Sequence, residues 1–163
     1  VKLFEMLDLA DAEGIAGSQI NEGFDQANRY LFLRQAWKAV LSEQESIDAL
    51  NGPSRFEFFY NKLGPEAAAA FTDLMGRGAK AEGIVDLVRS IQIAVLWDVC
   101  NVIDEPALDE FGLDDPGWGL FEIDEFSKPN RRIDALHESV PETDPTGRET
   151  VSAGAKNFLE KCY

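Results

Sequence analysis

Apolar residues recur at helical spacing through most of this chain. Leu3, Phe4 and Leu7, with Met6 beside them, share one helical face between Val1 and Ala12, and Gly14 and Gly17 punctuate the stretch after it. Ser18 reads as the N-cap of a longer helix in which Ile20, Phe24, Ala27 and Leu31 repeat, continued by Leu33, Trp37, Val40 and Leu41. Ser42 and Glu45 match the S-x-x-E capping box, which predicts a restart or bend before the break at Asn51-Gly52-Pro53. Arg55 to Leu63 carries Phe56, Phe58, Phe59 and Tyr60 and reads as a helix, with a short strand as the alternative. Gly64 then stops the chain and Pro65 opens an alanine-rich helix from Glu66 to Met75, ended by Gly76 and Gly78.

The clearest element runs from Lys80 to Ile103. Its polar residues Glu82, Asp86, Ser90, Asp98 and Asn101, with Glu105 beyond, trace a narrow stripe, while Ile84, Val85, Leu87, Val88, Ile91, Val95, Leu96, Val99 and Val102 fill the rest. A helix apolar over most of its circumference is expected to lie centrally. After Pro106 the pattern changes. Trp118 to Asp124 and Arg131 to His137 read as two short strands joined by a turn-rich loop, and Val151, Ala155, Phe158, Leu159 and Cys162 predict a final amphipathic helix. The expected fold class is mainly α, a helical bundle of five or six helices with a small β-hairpin near the C-terminal end. One domain is expected over 1–163, made of a helical scaffold (1–103), an acidic segment with the hairpin (104–147) and a C-terminal helix (148–163).

Composition supports a packed core, with 45% hydrophobic and 10% aromatic residues in 163. The 30 acidic residues against 15 Lys and Arg give a formal charge of −15. That balance argues against nucleic acid and against anionic membrane surfaces, because both are bound through Lys and Arg. Cys100 and Cys162 are far apart and in no ligand spacing, which excludes a disulfide framework and points to a reducing compartment. The longest apolar run, Ile93 to Trp97, is too short to span a bilayer, and no stretch near Val1 has the layout of a signal peptide, so a cytoplasmic location is expected.

Motifs for dinucleotide enzymes, P-loop NTPases, α/β-hydrolases and zincins are absent. His137 is the single histidine, and at the end of a strand its ring would face away from Asp134, so a structural or exposed role is the plainer expectation. No metal or other cofactor is expected. The carboxylates Asp104, Glu105, Asp109, Glu110, Asp114, Asp115, Asp124 and Glu125 lack EF-hand spacing. Asp86 and Asp98 sit about 18 Å apart along one helix, too far to act on one bond, though either could enter a pocket with His137 or with Phe56 to Tyr60.

The most distinctive feature is the window from Asp104 to Glu125, with nine acids, no Lys, Arg or His, and Leu108, Phe111, Leu113, Trp118, Leu120, Phe121 and Ile123 interleaved. Apolar anchors in a negative field suit an interface for a basic partner, since anchors supply affinity and charge supplies steering. The expected partner-binding residues are Asp109, Glu110, Phe111, Asp114, Asp115 and Trp118. The plain alternative is an acidic connector whose aromatics tuck into the domain's own core. The functional expectation is an acidic interaction module that regulates or neutralises a basic protein, in the manner of an inhibitor or immunity protein. A helical enzyme or small-molecule binder using carboxylates, and a structural subunit of a homo-oligomer, remain the alternatives.

Overall fold

A computed structural model of the chain describes residues 2–6, 11–23, 25–42, 44–46, 50, 55–105 and 118–148. The fold is mainly α, with a two-stranded antiparallel hairpin near the C-terminal end, as the hydrophobic pattern predicts. The chain divides into two compact units, one of Val1–Trp37 with Val95–Tyr163 and the other of Lys38–Ala94. Among the expected elements, the window 106–117 and the C-terminal helix beyond Arg148 lie outside the described residues.

In the first unit the leading helices are α1 (Lys2–Met6), α2 (Ala12–Asn21) and α3 (Gln26–Ala36). Ser18 is not the expected cap of the helix through Ala27 and Leu31, because it lies in the last turn of α2; α2 itself is capped by Asp11, whose carboxylate accepts from the Gly14 amide at 2.9 Å, and Gly14 and Gly17 lie inside it. The Asp11 carboxylate occupies the space beside Gly14 that a Cβ would take up. The real break comes at Gly23, with a positive φ of 78°, and Asp25 then caps α3 by accepting from the Asn28 amide. Phe4, Ala16 and Tyr30 form a small core, the rings of Phe4 and Tyr30 meeting edge to face at 6.3 Å.

In the second unit Ser42 and Glu45 form the expected capping box, with the Glu45 amide donating to Ser42 Oγ at 3.0 Å and the Ser42 amide to Glu45 Oε2 at 3.5 Å. The aromatic stretch is helical, α4 (Arg55–Leu63), and Gly64, at φ 91°, leads into Pro65 at the start of α5 (Pro65–Gly76). Phe59 stacks on Phe71 at 4.0 Å in a core with Leu41, Ala68, Ala81 and Val85. Phe58 packs against that core, whereas Phe56 and Tyr60 are exposed and touch each other.

The long helix α6 (Ala81–Asp104) departs from its expected central position. It buries one line, Ala81, Val85, Arg89 and Cys100, while Leu87, Ile91, Val95, Val99 and Val102 are each more than half exposed. Polarity does not sort the two sides. Arg89 donates to Leu41 O at 2.8 Å and Gln92 Oε1 accepts from the Leu41 amide at 2.9 Å, so polar side chains on α6 satisfy main chain that enters without a regular partner.

After α6 the first unit resumes with the hairpin, which pairs β1 (Leu120–Ile123) with β2 (Pro129–Ile133) and places Leu120 opposite Ile133 and Phe121 opposite Arg132. Its turn is organised by Asp124, whose Oδ1 accepts from the amides of Phe126 at 2.8 Å and Lys128 at 2.9 Å. The sequence pattern carries the second strand on to His137, but it stops at Ile133. Ala135 adopts a left-handed φ of 54°, which strand pairing cannot accommodate, and the short helix α7 (Leu136–Ser139) begins directly after it. Trp37 Nε1 donates to Thr143 Oγ1 at 2.9 Å and the Tyr30 hydroxyl donates to Glu142 at 2.9 Å, tying the α3 end of the unit to the 3₁₀ turn Pro141–Thr143. Phe59→Ala is expected to lower stability by about 3–5 kcal/mol in chemical denaturation, against less than about 1 kcal/mol for the exposed Phe56→Ala.

Candidate functional site

The last residue of α6 and the first turn of α7 meet through one carboxylate. Asp104 Oδ2 accepts from the backbone amide of His137 at 2.9 Å and from its ring Nδ1 at 2.7 Å. The first contact does for α7 what an N-cap residue would do, since Ala135 at the cap position offers no side-chain acceptor. The second fixes the ring. With Nδ1 donating to the carboxylate, the neutral imidazole keeps its lone pair on Nε2. The Asp104 side chain is 4% exposed and that of His137 16%, so the pair is shielded from competing water. Trp97 closes the arrangement, its ring meeting the imidazole edge to face at 5.5 Å. Trp97, Cys100 and Asp104 fall at helical spacing on one side of α6.

This pair stands in the wall of a cleft of about 570 Å³ within the first unit, a size usual for ligand sites. From the α2 and α3 side come Ser18, Glu22, Gln26 and Arg29. Glu105, Arg132, Asp134 and Glu138 come from the other side, beside Asp104 and His137. The lining is polar and its carboxylates outnumber its guanidiniums, five to two. Both guanidiniums also serve main chain: Arg132 Nη2 donates to Asp104 O at 2.6 Å and Arg29 Nη1 to Asp134 O at 3.5 Å. Ser18 Oγ is bound in a chain, accepting from Gln26 Nε2 at 3.1 Å and donating to Glu22 Oε2 at 2.8 Å. Such a cleft can bind a polar molecule and present an oriented imidazole to it.

The expected placement of His137 at a strand end is therefore overturned, since it lies in α7; its ring is not paired with Asp134, and the carboxylate it meets is Asp104, 33 residues away. Asp86 and Asp98 are exposed and do not line this cleft, nor does the Phe56 to Tyr60 stretch. Of the expected partner-binding residues, Asp109, Glu110, Phe111, Asp114 and Asp115 lie outside the described residues. Trp118 is placed. Its Nε1 donates to Val102 O at 2.7 Å, which holds the indole at the end of α6 while leaving the residue 45% exposed. Among the described residues no group of three His, Cys, Asp or Glu gathers to hold a metal ion, and no helix is long and apolar enough to cross a membrane. No protein-family model, curated protein or solved structure matches the chain.

Cys100, one turn before Asp104, is fully buried. Burial first and the Asp104 carboxylate second push its thiol from 9.0 up to about 11. It is therefore protonated at neutral pH and unsuited to be a nucleophile for the neighbouring imidazole. At pH 8 its thiolate fraction is about a hundredfold below that of an unshifted thiol. Alkylation followed by peptide mass mapping is expected to leave Cys100 unmodified in the native protein and modified after denaturation.

Proposed function

We propose that the protein is an acidic interaction module that binds a basic protein partner and regulates or neutralises it, as an inhibitor or immunity protein does. The observation that carries this reading is the described end of the acidic window. Trp118, Phe121 and Ile123 are exposed there at 45%, 43% and 63%, rather than folded into the unit's own core. On β1 the outward positions are the apolar ones, Phe121 and Ile123, which is the reverse of a hairpin that packs its apolar face inward. Phe126 at the turn is also exposed.

An indole already held by Val102 has little conformational freedom left to lose on binding, which suits Trp118 to the role of anchor. Glu125 is exposed beside these apolar side chains, and the acidic excess of the 104–125 sequence favours a basic partner, while the return strand carries Arg131 and Arg132. The partner is to be isolated from source cells by crosslinking, purified and titrated. Trp118→Ala is expected to weaken binding at least about tenfold, or 1.4 kcal/mol. Reversing Asp109, Asp114 and Asp115 to Lys is expected to weaken binding and flatten its salt dependence. Unchanged affinity and salt slope in both variants would overturn the reading.

The exposed line Leu87, Ile91, Val95 and Val99 favours a second reading, a subunit of a homo-oligomer, because side chains four apart form the ridge by which helices most often pack. Sedimentation is expected to show association that Ile91→Ser abolishes. A monomer at about 100 μM, well above the dissociation constant of a standard-size interface, would dismiss it.

A further inference from the structure

Three polar atoms that are closed to solvent and have no hydrogen-bond partner among the described residues belong to side chains of the Asp104–His137 cleft: Gln26 Oε1, Arg29 Nε and Asp104 Oδ1. Gln26 is 8% exposed, and the Asp104 side chain 4%. Buried polar groups are nearly always paired, so a cluster of orphans around one concavity calls for a ligand that pairs them. Two of the three are acceptors, one of them anionic, and the third is a cationic donor. We propose that the cleft binds a small amphoteric molecule of the basic amino-acid class, bearing cationic N–H groups together with a carboxylate.

Each end of such a molecule has its partner in the cleft. The cationic end supplies hydrogens to Asp104 Oδ1 and Gln26 Oε1, and the excess of carboxylates in the lining accepts its positive charge. The carboxylate end accepts from Arg29 Nε. All three atoms are closed to solvent in this structure, so an occupant pairs them as the Gln26 and Arg29 side chains change rotamer and the Asp104 carboxylate turns while keeping one oxygen on His137. A simple anion site would not leave two acceptors unpaired. A pure cation site would not leave a guanidinium nitrogen unpaired beside them. This site is separate from the Trp118 surface, and its occupant is a free small molecule, so the two readings stand or fall independently.

The test is calorimetric titration of the full chain with L-arginine, agmatine and acetate in parallel, with the backbone and imidazole resonances of His137 followed by NMR. L-Arginine is expected to bind saturably and at least about tenfold tighter than agmatine, which lacks the carboxylate, with acetate weaker still. Gln26→Leu, which removes one acceptor at similar volume, is expected to weaken L-arginine at least about tenfold. Asp104→Asn is expected to abolish binding, and if it disturbs α7 the Gln26 variant decides alone. Absence of saturable binding of L-arginine at 10 mM, equal binding of acetate, or an affinity that Gln26→Leu leaves unchanged would overturn the proposal; the 10 mM ceiling is about 2.7 kcal/mol of binding.

Discussion

A single carboxylate oxygen organises the C-terminal part of the first unit. Asp104 Oδ2 takes the amide of His137, which starts α7, and the imidazole Nδ1, which orients the ring. Desolvating a carboxylate is strongly unfavourable unless charged or polar donors meet it, and two donors on one oxygen are what the fold supplies. Remove that acceptor and α7 loses its first-turn partner and the imidazole loses its tautomer preference, while Arg132 is held separately by the main-chain carbonyl of the same residue at 2.6 Å. Structure and candidate chemistry therefore depend on the same atom.

The long helix shows how polar side chains acquire such roles. Arg89 and Gln92 interrupt a mostly apolar sequence, and they turn toward the main chain of residues 39–41 and satisfy it. Asp104 does the same for α7. Meanwhile Leu87, Ile91, Val95 and Val99 stay exposed. The helix buries the side that has main-chain groups to satisfy, because an unpaired buried amide or carbonyl is less favourable than an exposed aliphatic side chain.

Local signals are legible where the chemistry is local. The Ser42 and Glu45 box, the Gly64-Pro65 start and the helical period of 55–63 and 81–104 all rest on neighbours within a few residues, and all are present in the structure. Asp11 is hidden as a cap because Gly14 and Gly17 read as breaks, when both lie inside α2. The cleft is hidden for a different reason. Nothing in the spacing of Asp104 and His137 ties them together, and a single left-handed residue, Ala135, turns an apparent strand end into a helix start. The only forward signal is that Asp104 continues the face of Trp97 and Cys100 on α6.

Because the chain has one histidine, the Asp104–His137 hydrogen bond can be read directly from the ring it orients. A two-bond proton–nitrogen correlation spectrum of the imidazole at alkaline pH reports the tautomer of His137 without assignment ambiguity. A neutral ring with the proton on Nδ1 and the lone pair on Nε2 is expected, with loss of that preference in Asp104→Asn. A ring protonated on Nε2, or one exchanging freely between the two forms in the wild-type protein, would contradict the role given to Asp104.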